Sequence, residues 1–260
     1  MFQYTFIQNA FVAAILTSII CGIIGTIIVE KKLVMMSGGI AHASFGGIGL
    51  GFLLGIEPIM GGLLFAILSA LGVVKIKDVI GTKADTLIAM FWSVGMALGI
   101  LFIALTPGYP PDMTSYLFGD ILAVSTSDIY ITAFLTVIII FVIASLFVYW
   151  QAYLFDEEYL KVKGFNVKTF EYILYVLISI AIIIVVKVVG IVLIIALLTI
   201  PTSIAKMYSR NLRNLMFLSI LISIIICVAG LYISYYIEIP SGATIILTGS
   251  LLYILHYFVK

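Results

Sequence analysis

The chain reads as a succession of apolar runs, each about as long as a bilayer crossing, punctuated by short clusters of charge, glycine and proline. A helix needs about 20 predominantly apolar residues to cross the hydrocarbon core. On that rule nine segments qualify: 6–29, 39–56, 58–74, 84–106, 128–150, 171–187, 189–206, 214–236 and 241–259. Some are joined by almost nothing, as at Ile56–Pro58 and Lys187–Val189. Runs such as Ile131–Tyr149 and Tyr172–Val186 lack the alternation that a membrane β-barrel strand requires. The pattern predicts an all-α, polytopic helical membrane protein of about nine transmembrane helices, arranged as a single transmembrane domain over residues 1–260.

Two connections are longer than the rest. "TPGYPPDMTSYLFGDILAVSTSD" (106–128) carries three aspartates and no basic residue, and its prolines and glycines predict a turn and then a short, re-entrant type of helix. "QAYLFDEEYLKVKGFNVKTFE" (151–171) predicts a short amphipathic helix that breaks at Gly164. Neither is long enough to fold as a soluble domain, so the work falls to the spans or to a partner chain.

Charge adds an orientation. With the N-terminus outside, twelve of the thirteen basic residues fall on the cytoplasmic side and only Lys187 lies outside. The positive-inside rule then gives N-outside, C-inside and an odd number of spans. Lys31 and Lys32 follow the first apolar run instead of preceding it, which is a signal-anchor pattern and not a cleaved signal peptide. Composition fixes the solvent. The chain is 64% hydrophobic and 10% charged, whereas a soluble domain is about 45–50% apolar and about 25% charged. Membrane lipid is therefore its surroundings, and the expected place is the cell membrane. A net charge of +1 offers no footprint for nucleic acid. Cys21 and Cys227 both sit in apolar runs and read as small buried hydrophobes. No G-x-x-x-x-G-K-[ST], H-E-x-x-H or G-x-S-x-G motif occurs, so the chain carries no Walker A nucleotide site and no familiar hydrolase centre.

The candidate chemistry concentrates in "SGGIAHASFGGIGLGFLLG" (37–55), which holds seven glycines and one of only two histidines. In steps of four, Gly39, Ala43, Gly47, Gly51 and Gly55 make a small-residue face. Such faces let helices approach closely in lipid, and they can also border a translocation path. His42 stands beside that face. A polar side chain within a span is costly, so it reads either as a pathway contact or as an interhelical hydrogen bond. Imidazole suits Zn, Cu, Fe and Ni. One histidine is a weak site, but two can meet on the axis of a symmetric dimer. Pro201 lacks an N–H and clashes with the carbonyl at Leu197, predicting a kink there. That kink reads either as a pathway feature or as an ordinary membrane proline. Asp85, Lys187, Glu238 and His256 lie near span ends and read as structural.

Four segments occur in an order that fits one pattern: "IAHASFGG" (40–47), "DTLIAMFWSVGMALGI" (85–100), "SYLFGDILAV" (115–124) and "KVVGIVLIIALLTIPTSIAK" (187–206). Together they resemble the permease subunits of ABC importers for zinc, manganese and iron(II). The resemblance implies a homodimer with its path near the two-fold axis, two copies of a cytosolic ATPase and an external metal-binding protein that delivers the ion. It implies no permanently bound cofactor, the metal being cargo (Zn2+ favoured, Mn2+ or Fe2+ possible). Within that frame Glu157, Glu158, Lys161 and Gly164 are candidates for coupling to the ATPase. Asp112, Tyr116 and Asp120 are candidates for docking the binding protein. Relatives commonly carry Asp one turn before the histidine, and here that position is Gly38. Losing the carboxylate tilts the expectation from Mn2+ toward Zn2+. The competing readings are a permease for a metal chelate of siderophore or cobalamin type, a secondary transporter, and an intramembrane enzyme. The last two want paired acids or a nucleophile–base pair within the spans, and the sequence offers neither clearly.

Overall fold

The computed structural model describes residues 4–80, 84–108, 114–119 and 121–259, and no strand occurs among them. In chain order the helices are α1 (Thr5–Glu30), α2 (Val34–Leu54), α3 (Pro58–Ile80), α4 (Ala84–Ala104), α5 (Thr114–Phe118), α6 (Thr126–Ser145), α7 (Phe147–Phe155), α8 (Glu157–Val162), α9 (Val167–Tyr208), α10 (Leu212–Ile237) and α11 (Ser241–Val259). A 3-10 turn, Ile121–Ala123, separates α5 from α6. Among the described residues, eight helices are long and apolar enough to cross a bilayer. The expected class, a polytopic helical membrane protein, is what the chain forms.

The predicted segments 171–187 and 189–206 both fall in α9. At 42 residues this helix would be about 63 Å long as a straight rod, roughly twice the hydrocarbon thickness of about 30 Å. It is not straight. Gly190 adopts φ 81° and ψ 168°, a region open essentially to glycine alone, and interrupts the helix between the two segments. The kink expected at Pro201 is not the site of this interruption: helical dihedrals continue through Pro201. The segment predicted at 128–150 is likewise divided, because Leu146 leaves helical geometry (φ −112°, ψ 23°) between α6 and α7.

The chain divides into two compact units: one comprises Met1–Lys32, Thr114–Leu154 and Val185–Lys260, the other Leu33–Met113 and Phe155–Ile184. In the second unit α2 is the central element. Its residues Gly39, Ala43 and Gly49 lie against Ile88, Gly95 and Gly99 of α4, so the two helices run parallel. Gly47 and Gly51 lie against Gly61 and Pro58 of α3, which therefore runs antiparallel. A Cβ on Gly47 would overlap the Gly61 carbonyl, and one on Gly61 would overlap that of Gly47. Gly55 is different. It ends α2 in the left-handed conformation (φ 66°) with open space where a Cβ would go.

In the first unit α1 and α10 are antiparallel neighbours. Gly22 faces the backbone of Ile220, Thr26 Oγ1 donates to Ser219 Oγ at 3.3 Å, and Ser18 Oγ donates to Cys227 Sγ at 3.5 Å. Cys21 and Cys227 are both fully buried. Gly25 gives passage to the Leu198 carbonyl of α9, and Lys206 pairs with Glu30 at 2.8 Å further along the same two helices. The break in α9 has a specific neighbour: Gly119, at φ 72°, lies directly on Val189 and Gly190, where neither glycine has room for a Cβ. Asp128 then secures this corner twice. One carboxylate oxygen accepts from the Ser125 backbone N–H at 3.2 Å, completing a capping box at the start of α6. The other pairs with Lys187 Nζ at 2.7 Å, three residues before the break. The one basic residue placed outside by the charge pattern is thus an ion-pair partner of an aspartate from the acidic connection.

Two stability predictions follow from these contacts. Gly47→Val should lower the stability of the detergent-solubilised chain by about 3 kcal/mol, the upper end of the overpacking range, whereas Gly55→Asn should cost under about 1 kcal/mol because asparagine tolerates the left-handed cap. Thermal unfolding of the two variants checks the contrast. Lys187→Met should destabilise by about 1 kcal/mol, because the Asp128 carboxylate loses its cation but keeps the hydrogen bonds from Ser125. The double variant Asp128→Asn/Lys187→Met should recover part of that loss in the same assay.

Candidate functional site

His42 lies within α2, nine residues into the helix, and is half-buried. Its Nδ1 is 2.8 Å from the carbonyl oxygen of Gly38, one turn earlier. A carbonyl only accepts, so Nδ1 carries the hydrogen and the neutral ring keeps its lone pair on Nε2. The imidazole also lies against the indole of Trp92 in α4, with ring centroids 3.9 Å apart and planes inclined by 20°. The register that brings them together is set next door. Gly95, one turn after Trp92, has its Cα where only hydrogen fits against the backbone of Ala43. The ring is thus held from two sides, with one nitrogen committed and the other able to donate an electron pair.

Nothing else in the described residues completes a ligand set around it: no group of three His, Cys, Asp or Glu side chains is positioned to hold a metal ion. Beside the site, α2, α3 and α4 form a half-open cleft of about 190 Å³ lined by Ala43, Phe65, Leu68, Ser69, Phe91, Val94, Gly95 and Leu98. That lining is apolar apart from the Ser69 hydroxyl, so its side chains offer a cation one weak oxygen donor. The arrangement suits a passing contact with a cation through one imidazole per chain, not a closed metal cage.

The small residues singled out in the sequence do not share one groove. Gly39 and Ala43 meet α4, Gly47 and Gly51 meet α3, and Gly55 is a helix cap. Steps of four residues advance about 40° beyond a full turn, so the row winds round the helix. Gly38 supplies the carbonyl that His42 uses. Pro201 is buried and lines a small apolar space with Leu193, Ile226 and Ile245.

The segment expected to couple to an ATPase forms α8. Asp156 caps it, its carboxylate accepting from the Tyr159 N–H at 3.1 Å. Glu157 and Glu158 occupy the first turn and Lys161 the last, matching the helix dipole. Gly164 (φ 79°) ends it in a Schellman arrangement, with Phe165 N–H donating to the Leu160 carbonyl and Gly164 N–H to that of Lys161, both at 3.0 Å. Leu160 is wholly buried and anchors the helix, while Glu157, Glu158, Tyr159, Lys161 and Val162 stand exposed. On the other long connection, Tyr116 lies half-buried in α5. Asp112 and Asp120 lie outside the described residues.

Sequence reasoning missed Trp92, Gly95, Gly61 and the Gly119–Gly190 contact. The doublet Gly61–Gly62 after Pro58 was a local sign of close packing. The partnership of Trp92 with His42 had no local sign, because it depends on the α2–α4 register.

With this geometry in place, comparison with known proteins gives a consistent result. The ABC 3 transport family matches residues 3–260. An uncharacterised membrane protein of Synechocystis is 39% identical over 253 residues, covering 97% of this chain and 90% of that one. The manganese import system permease protein ScaB of Streptococcus parasanguinis is 32% identical over 257 residues, covering 99% of this chain and 91% of its own. The structure of PsaBC from Streptococcus pneumoniae in complex with Fab matches with a TM-score of 0.90 at 32% identity, over 99% of this chain and 93% of that one. This chain belongs to the ABC 3 transport family.

Proposed function

We propose that the chain is the membrane-spanning permease of an ATP-driven importer for a divalent transition-metal ion. The observation that carries the reading is the end-to-end agreement of fold with PsaBC, at a TM-score of 0.90 and 32% identity. The local chemistry supports it: a half-buried imidazole within a span, with Nε2 free to donate. The working unit is a pair of these chains, so that two such nitrogens serve one path. ATP hydrolysis belongs to two cytosolic ATPase subunits, since the sequence carries no Walker A motif. An external metal-binding protein delivers the ion.

The same reading assigns the surfaces. With the N-terminus outside, α8 lies on the cytoplasmic side, and its exposed Glu157, Glu158 and Lys161, ended by Gly164, form the coupling element for the ATPase. The acidic connection with Asp112, Tyr116 and Asp120 receives the binding protein. For the cargo, an imidazole with Gly38 one turn before it favours Zn2+, because carboxylate and water suit Mn2+ better than nitrogen does. Manganese is the second reading, favoured by the name of the streptococcal relative.

Uptake into proteoliposomes holding the permease and its ATPase tests the proposal. Zn2+ should enter only with ATP, and His42→Ala should lower the rate at least about tenfold, since loss of even a group that only supports a metal ligand costs about that much. Uptake that ignores ATP would overturn the importer reading, and preferential Mn2+ uptake would select the second cargo. Charge reversal at Glu158 and Lys161 should reduce co-purification of the ATPase while leaving the permease folded, measured by affinity pull-down.

A further inference from the structure

The stack between His42 and Trp92 has a role that packing alone does not require. In a neutral imidazole only one nitrogen carries hydrogen, and the Gly38 carbonyl claims it at Nδ1. That bond fixes which nitrogen is the donor, but a single hydrogen bond leaves the ring free to swing about its axis. A flat partner at 3.9 Å, inclined by only 20°, removes that freedom. The separation of the rings is itself imposed, since Gly95 lets α4 settle on the backbone of Ala43, the residue after His42.

We propose that Trp92 is the positioning residue of the ion contact, holding the His42 ring so that Nε2 points where a cation passes and offering its indole face to the charge the ring acquires on binding one. The inference rests on the reading of His42 as an ion contact. Binding a divalent cation at Nε2 withdraws electrons from the imidazole and gives it partial positive character. The negative face of an indole stabilises such a ring and tryptophan does so better than phenylalanine or tyrosine. The residue acts through His42, in the way that supporting groups around metal ligands orient them and raise their basicity.

Zinc uptake kinetics in proteoliposomes of the permease–ATPase complex separate this role from packing. Trp92→Leu removes the flat face at modest loss of volume and should raise KM for Zn2+ about tenfold with kcat nearly unchanged. Trp92→Phe restores a stacking face and should recover KM to within about threefold. Equal effects of leucine and phenylalanine, or a fall in kcat with KM unmoved, would overturn the proposal. His42→Ala, run alongside, distinguishes the two layers. If it leaves uptake intact, His42 is no ion contact and both readings fall. If it abolishes uptake while Trp92→Leu changes nothing, only the positioning role falls. A mutation-free readout guards against misfolding of the variants. Co2+ bound at Nε2 would lie beside the indole and should quench the tryptophan emission of the unmutated full-length chain saturably. Quenching that never saturates, or none at Co2+ levels that saturate binding, would contradict the proposal.

Discussion

Backbone-to-backbone contact at Gly47 and Gly61 is the constraint on which the helical unit around α2 depends. In lipid there is no water to drive apolar helices together, so association rests on close van der Waals packing and on hydrogen bonds between helices. A polypeptide gains such packing only where side chains are absent. α2 gives up side chains on two faces at once, one toward α3 and one toward α4, and each contact fixes a register. The α4 register then decides which residue meets His42. The glycines and the histidine are therefore parts of one arrangement: the small residues set the distances, and the imidazole uses them.

The other unit applies the same economy of side chains to a different end. A 42-residue helix would overshoot the bilayer, so α9 is interrupted at Gly190 and the irregular backbone is covered by Gly119. Non-helical backbone at membrane depth is tolerated only where protein or a water-lined cavity shelters it. Here the shelter is a second glycine, and the Asp128 carboxylate ties the nearby α6 N-terminus to Lys187 just before the break. Two of the four segments that carry the family resemblance, "SYLFGDILAV" and "KVVGIVLIIALLTIPTSIAK", meet at this point.

The architecture was legible because the hydropathy of a span is a property of the span alone. Every predicted segment is helical, although 128–150 is divided between α6 and α7 and two segments share α9, and α8 was legible for the same local reason, with an acidic first turn and Gly164 as its stop. Features that need a partner were misread or missed. The sequence points to Pro201, where the missing N–H is a local penalty, but the interruption of α9 at Gly190 had no local sign, because its conformation makes sense only with Gly119 against it. The row of small residues spaced by four was read as one face, but it drifts round α2 and serves two neighbours. His42 stood out because a polar group in lipid is conspicuous in any sequence. Trp92 did not, since an aromatic residue in a span is ordinary until the register shows what lies against it.

The central claim is that the transported ion touches Nε2 of His42. Anomalous diffraction, collected at the zinc and manganese edges from crystals of the permease complex grown with each ion, tests it most directly. The account predicts a peak about 2.1 Å from that nitrogen for zinc, the usual Zn–N distance. Metal density elsewhere along the spans, with none at His42, would contradict it.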